Sequence, residues 1–414
     1  YLNLQKSEKI LYVYLWEGGI QTQLKTPLNL LKIYLFQQQI IIKHSSQMIR
    51  KIFMTILYSI LALLFSGGFF LVFSPQFGDP PNQKKSLFYE KYDNYLDGEF
   101  KNEERFDMMT GDMSMREFIS GDSGRMKPDP ILPLKIDFAN FKNLSNDEIQ
   151  FSWLGHSAFL LKVNGKIIML DPMLGKYAAP VPMPMLKRYS PEIAISLDNI
   201  DSIDMVLFSH DHYDHLDYKT IKKIRDKVKM FYVPLGLGGH LNSWGVDESS
   251  ITELNWNQSV LNDKIELICL PARHFSGRGL SDRNSTLWSS WAIISDLGKI
   301  YFSGDTGYGN HFKRIGDEYG PFDLALLDCG QYNDAWKYSH MIPEEGVQAS
   351  LDLKASQFMP IHWGAFTLST HDWADPVKRA FKFSEKKQLN MIYPEIGEIV
   401  ILGNKTEKKW WKKY

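Results

Sequence analysis

From about residue 148 the chain falls into short apolar runs, each stopped by a polar cluster: FSWLGH, AFLLKV, KIIMLDP, DMVLFSHDH, MFYVPL, IELICLPARH, WAIISDL, KIYFSGDTG, DLALLDCG and QFMPIHWG. Runs this short, rich in β-branched and aromatic residues, read as strands. Helical patterns such as YKTIKKIRDKV and PEEGVQASLDL fall between some of them. Many strands with interspersed helices confine the chain to a mixed α/β layered architecture.

The ends of these runs carry the chemistry. DMVLFS is followed by His210, His212, Asp214 and His215, ICLPAR by His274, KIYFSG by Asp305, and QFMPI by His362. A strand end is a rigid platform, and several facing one cleft suit a preorganised site. The stretch SHDHYDHLD, residues 209–217, alone holds three of the eleven histidines together with three aspartates. Such a crowd repels itself if charged and costs desolvation if buried. A cation at its centre removes both problems. His210 and His212 are two apart and point the same way in extended backbone, while Asp214 and His215 follow in a turn. Imidazole with carboxylate suits zinc, with iron or manganese as competitors. Seven donors are too many for one ion. Two ions share them: His210, His212 and His274 on one, Asp214, His215 and His362 on the other, with Asp305 bridging. Two cations roughly 3.5–4 Å apart hold a hydroxide between them, at a water pKa lowered towards about 7. The chemistry expected is hydrolysis of an ester, amide or phosphodiester, with Asp214 and Asp305 among the catalytic residues.

Composition limits the partners. With 414 residues, 44% of them hydrophobic, the chain can build a large core. A formal net charge of −1 supplies no basic field for nucleic acid. The two cysteines, Cys269 and Cys329, sit in apolar runs with no CxxC, so buried thiols are expected.

The stretches WLGHSAFLL, SHDHYDHLDY, VPLGL, SGDTGY, GPFDLA, YSHMIPEEGV and IHWGAF occur in that order between about 150 and 370. Together they resemble the metallo-β-lactamase superfamily and, within it, the N-acylphosphatidylethanolamine-hydrolysing phospholipase D family. The resemblance implies an αββα sandwich and two zinc ions, held by His210, His212, Asp214, His215, His274, Asp305 and His362. It makes His340, in YSHMIPEEGV, a substrate-phosphate contact or acid, and it places Gly155, His156 and Asp171 where they support the ligands. PARHFSGRG and DCGQYNDAW depart from the family's pattern. The first brings Arg273, Arg278 and Arg283 close to the expected cleft. Arg273, Arg278, His340 and Trp363 are therefore candidate substrate contacts, with Trp363 and Phe366 as an apolar wall or as core. The implied reaction is phospholipid hydrolysis to a phosphatidic acid and a headgroup alcohol. A lactonase or sugar-phosphate hydrolase of the same fold is the alternative, and a non-catalytic membrane-tethered binding module a second. His240, His311 and His371 read as surface residues, with His371 near the mouth.

Residues 52–73 carry no charge and follow Arg50-Lys51. A helix of that length reaches roughly 33 Å, enough to cross a bilayer core. The positive flank predicts an uncleaved anchor over 48–74 in a bacterial inner membrane, with the catalytic domain exported; a cytoplasmic domain is the alternative. Residues 1–47 show no clean period and precede the first methionine, Met48, so they read as a doubtful leader. Residues 75–147 read as a linker wrapping the main domain at 148–404. The basic aromatic tail, 405–414, reads as solvated or resting on lipid headgroups.

Overall fold

The computed structural model describes residues 4–7, 10–13, 27–111 and 127–414. The chain divides into two compact units, Tyr1–Phe73 and Ser74–Tyr414. In the first, strands β1 (Leu4–Ser7) and β2 (Ile10–Val13) pair antiparallel, and a helix runs from Pro27 to Phe73. Pro27 suits a helix start, and no glycine or proline interrupts the chain from Leu28 to Ser66. The helix therefore passes unbroken through Met48, and residues 27–47 are regular where the sequence suggested no period. Its apolar stretch is long enough to cross a membrane and is not buried against protein.

The second unit begins with a short turn at Pro75–Phe77 and a helix, Gln83–Tyr89, capped by Asn82, whose side chain accepts from Lys85 N. The small hairpin β3 (Tyr95–Leu96) and β4 (Glu99–Phe100) follows. Tyr89, Tyr95 and Phe100 bury together, so this segment is packed rather than loose.

Two seven-stranded sheets form the body. The first contains β5 (Gln150–Trp153), β6 (Phe159–Val163), β7 (Lys166–Leu170), β8 (Ile203–Leu207), β9 (Val228–Pro234) and β10 (Ile251–Leu254). The second contains β11 (Gln258–Asn262), β12 (Ile265–Leu270), β13 (Ser290–Ser295), β14 (Gly298–Phe302), β15 (Leu324–Asp328), β16 (Gln357–Ile361) and β17 (Asn390–Met391). The last strand, β18 (Ile399–Ile401), returns to pair with β5 in the first sheet. β7, β8 and β9 run parallel, as do β14, β15 and β16. β12 lies antiparallel to β13 and β13 to β14, so β12 shares the direction of β14. The carboxyl ends of β12, β14, β15 and β16 therefore lie along one edge. β5, β6, β15 and β16 are buried at every position, which is why they read as continuous apolar runs. The helices Pro343–Asp352 and Asp375–Lys387 pack on each other and on the β16 side of the second sheet.

The tail departs from expectation. Trp410 and Trp411 are 2% and 4% exposed. Trp410 stacks on Trp363 at 5.4 Å, and Trp363 lies 5.2 Å from Trp153. The lysines of KTEKKWWKKY suggested a solvated or lipid-facing tail, but two large aromatic rings recover more by burial than the lysines lose by lying on the surface. Cys269 and Cys329 are buried free thiols, as expected.

Candidate metal centre

Both sheets deliver donors to a common place. The turn after β8 carries His210 to His215, the loop after β12 carries His274, and the ends of β14, β15 and β16 carry Asp305, Asp328 and His362. Three of the surrounding residues have left-handed backbone: His156 (φ 58°), Asp171 (φ 35°) and His362 (φ 66°). Such conformations cost free energy in a residue with a Cβ and persist when neighbours impose them. Here the backbone imposes them: His362 N donates to His156 O (3.1 Å), His156 N to Trp363 O (2.9 Å) and Asp171 N to Leu207 O (3.0 Å).

Outer contacts fix which nitrogen of each ring faces inward. His215 Nδ1 donates to Asp171 Oδ2 at 2.7 Å. Ser209 donates to both Asp171 oxygens, through its backbone N and its hydroxyl, so its Oγ is left to accept from His210 Nδ1 at 2.9 Å. His274 Nδ1 donates to Ser339 O (3.1 Å) and His362 Nδ1 to Asp328 Oδ1 (3.2 Å). Each of these four rings thus turns an Nε2 lone pair towards the centre.

Those lone pairs meet one another. His212 Nδ1 lies 2.9 Å from His210 Nε2 and 3.2 Å from His274 Nε2. Asp305 Oδ2 stands between the halves, 3.8 Å from His210 Nε2 and His274 Nε2, 3.0 Å from His215 Nε2 and 3.3 Å from His362 Nε2. Asp214 Oδ2 lies 3.1 Å from His362 Nε2 and 3.5 Å from His215 Nε2. His215 Nε2 and Asp305 Oδ1 are buried with no hydrogen-bond partner. Inward-facing donor atoms about 3 Å apart match neighbouring ligands on a tetrahedral ion with bonds of ~2.0 Å. His210, His212, His274 and Asp305 form one group able to hold a metal ion, and Asp214, His215 and His362, with His156, form another. The charges agree. Burial opposes a charged ring at His215 and His362, yet Asp305, with Asp214 or Asp328, outweighs it. It holds His215 well above its ordinary pKa and lifts His362 to about 10. The carboxylates thus favour a proton on these two rings, which a cation would displace, while burial first lowers His210, His212 and His274 and keeps them neutral.

His156 and Asp171 lie against the donors, and Asp328 joins them. His156 Nε2 donates to Asp214 Oδ2 at 2.8 Å, and burial lowers the His156 pKa to about 3, so the ring is neutral. Asp328 was not singled out in the sequence, although its run, DLALLDCG, ends on it as the ligand runs end on theirs. It holds two rings at once, His362 through Oδ1 and His340 Nδ1 through Oδ2 (2.8 Å). His340 stacks on His362 with centroids 5.1 Å apart and keeps some exposure at the rim.

The substrate contacts expected from sequence divide. Arg273 stays beside this rim, held between the rings of Phe106 and Tyr338 and donating to Tyr308 O. Arg278 points inward, 4% exposed, with its guanidinium committed to backbone carbonyls. Trp363 is 1% exposed in the tryptophan pile, so it is core and not a wall for substrate. Phe366 is also buried, edge-on to His156. His240 and His311 are buried rather than on the surface, and His371 is partly covered by Tyr332 at 4.2 Å. A cavity of about 820 Å3 abuts His274, lined by Leu96, Phe100, Arg105, Phe106, Met109 and Arg283 among others.

A family model described as a beta-lactamase superfamily domain matches residues 166–363. An uncharacterized protein of Mycobacterium tuberculosis is 39% identical over 330 residues, 78% of this chain and 88% of its own. The N-acyl-phosphatidylethanolamine-hydrolyzing phospholipase D 1 of Caenorhabditis elegans is 37% identical over 266 residues, 60% of this chain and 74% of its own. Among solved structures, a metallo hydrolase from the hyperthermophilic archaeon Ignicoccus hospitalis superposes with a TM-score of 0.47 at 22% identity, covering 62% of this chain and 99% of that one.

Proposed function

Because the chain belongs to the metallo-β-lactamase superfamily and is a metal-dependent hydrolase of that fold, we propose that it is a two-zinc phosphodiesterase of the phospholipase D type. Its substrates are N-acylphosphatidylethanolamine-like phospholipids. The observation that carries this reading is the pair of inward-facing donor sets that share Asp305. The relative named for this lipid supports the substrate class. So does the cavity beside His274, where aromatic and methionine side chains lie next to Arg105 and Arg283.

A cation pair held by His210, His212, His274, Asp214, His215, His362 and Asp305 would supply a hydroxide nucleophile at neutral pH and neutralise the phosphoryl oxygens. The chain's own residues do the rest. Asp171 and Asp328 fix the ligand rings, and Asp214 and Asp305 provide the anionic oxygens that draw the cations in. His340, oriented by Asp328 at the rim, contacts the phosphate or passes a proton to the leaving alcohol. A new P–O bond forms, the bond to the headgroup oxygen breaks, and that oxygen leaves as the alcohol. The long apolar helix keeps the site near lipid, with the second unit exported.

The test is a screen of the full-length, detergent-solubilised protein with zinc against N-acylphosphatidylethanolamine, lactones and bis-p-nitrophenyl phosphate. The expected product is phosphatidic acid, and Asp305→Ala loses both bound zinc and turnover. Full phosphodiesterase activity in Asp305→Ala overturns the mechanism. Turnover of lactones alone replaces the phosphodiesterase reading with a lactonase.

A further inference from the structure

The segment that follows the long helix touches the backbone of both ligand loops. At its start lies the buried Arg278. Its Nη2 and Nε donate to Gln76 O (2.7 and 3.2 Å), and its Nη1 to Leu216 O (2.9 Å) and to Asp211 O. Asp211 and Leu216 bracket His212, Asp214 and His215, so one side chain ties residue 76 to both ends of that loop. The Arg278 guanidinium also lies 4.1 Å from the Tyr213 ring. Two residues on, Gly78 has a φ of 72°, and a Cβ there would stand 2.1 Å from His240 Nδ1. His240 in turn sits with Nε2 3.5 Å from Asp211 Oδ2.

The second contact is more direct. Asn102 pairs with both backbone groups of His274: its Nδ2 donates to His274 O at 2.7 Å, and its Oδ1 accepts from His274 N at 3.1 Å. The same Oδ1 accepts from Trp288 Nε1 at 3.1 Å. His274 lies in a loop past the end of β12, beyond the ladder that holds the strand. The carboxamide supplies the donor and acceptor that a neighbouring strand would have supplied.

We propose that residues 76–102 brace the metal centre, with Asn102 and Arg278 as positioning residues that hold His274 and the 211–216 loop at ligand distance. This rests on the two-cation reading above. Metal ligands must be held within roughly 0.5 Å of their working positions, and losing an outer partner typically costs about 10–100-fold in metal affinity. The two residues act on different ligands. Among the proposed ligands, Asn102 reaches His274 alone, which serves one cation. Arg278 reaches the loop that serves both.

The experiment uses the full-length, detergent-solubilised protein, stripped of metal and titrated with zinc against a chromophoric chelator. Wild type, Asn102→Ala, Asn102→Asp and Arg278→Lys are compared, each with a melting curve of the metal-free form. Asn102→Ala is expected to weaken one equivalent about 10–100-fold and leave the other within a few-fold. Asn102→Asp keeps the acceptor for His274 N and recovers part of that loss. Arg278→Lys cannot reach all three carbonyls and weakens both equivalents. The cobalt-substituted Asn102→Ala protein should show an altered visible spectrum, and kcat should fall more than KM rises. Two equivalents at wild-type affinity in Asn102→Ala overturn the proposal, even if its melting temperature falls. If Arg278→Lys does not fold, Asn102→Ala decides alone. A wild-type protein that holds no zinc overturns the two-cation reading and the brace together.

Discussion

Asp328 shows how much a single carboxylate can control. It accepts from His362 Nδ1 and His340 Nδ1, so both rings turn Nε2 away from it. Burial alone would raise the Asp328 pKa, but His340 and His362 outweigh it, and the carboxylate stays ionised. In Asp328→Asn the amide can accept from one ring only, and its NH2 faces the other. That second ring must present an unprotonated Nδ1 and so turns Nε2–H towards the site. If it is His362, a ligand lone pair is lost. Asp328→Asn should therefore lose about 10–100-fold in zinc affinity, read by chelator competition, with little change in the fold. His311 offers a separate prediction. Burial first, then Arg314 and Arg273, lower its pKa to about 3, and Thr306 Oγ1 lies 3.4 Å from its Nε2. Folded His311 is neutral where the unfolded residue would take up a proton below about pH 6.5. Its contribution to stability is complete above that pH and is lost as pH falls towards 3. His311→Gln should flatten the decline of melting temperature between pH 6.5 and 4 relative to wild type. An unchanged slope would show that His311 does not titrate in that window. At this scale the clustered donors were legible because each follows an apolar run. The direction of Arg278 was not legible. Sequence shows a charge beside a ligand, not whether the carbonyls that satisfy it lie outside or beneath.

The strands were the most legible elements, since strands buried on both faces leave unmistakable apolar runs. The helix from Pro27 was legible only over its charge-free half. The glutamines and charged residues of 37–51 hide continuity that an unbroken run of helix formers makes real. The segment after it, rich in turn formers, read as linker because its role is carried by single contacts rather than by a period. The tail was misjudged because net charge outvoted its aromatic content. Trp410 is 2% exposed and lies within 6.1 Å of Trp153 and Trp373 as well as against Trp363. Trp363 directly follows the donor His362, so the pile steadies the strand end that bears it. Trp410→Ala should cost about 3–5 kcal/mol and lower the melting temperature by several degrees. Membrane retention should stay at the wild-type level, because the tail is spent on the core. Loss of retention with unchanged melting would return the tail to the lipid surface.

At the scale of the whole second unit, the site is a joint between two sheets. The first sheet delivers His156, Asp171 and the 210–215 cluster; the second delivers His274, Asp305, Asp328 and His362. On the proposed two-cation reading neither sheet holds a complete set for either ion: His274 would join His210 and His212, and His362 would join Asp214 and His215. Cations bound there would cross-link the sheets, and their binding free energy would add to that of folding. Without them, buried carboxylates and facing imidazoles lie within 4 Å of one another across the joint, some lone pairs unpartnered. Zinc at about 100 times its dissociation constant should stabilise the unit by about 2.7 kcal/mol per site. A strong chelator should therefore lower the melting temperature of the wild type by several degrees, and added zinc should restore it. Asp305→Ala removes the carboxylate shared by both halves, so its melting temperature should respond to neither chelator nor zinc. Hydrogen exchange in the metal-free protein should rise first at 209–217 and 272–278, the loops that meet across the joint, while β6 and β15 stay protected. A wild-type melting curve indifferent to chelation would mean that the sheets are held without the cations, and the joint would then be a site carried by the fold rather than part of what holds it closed.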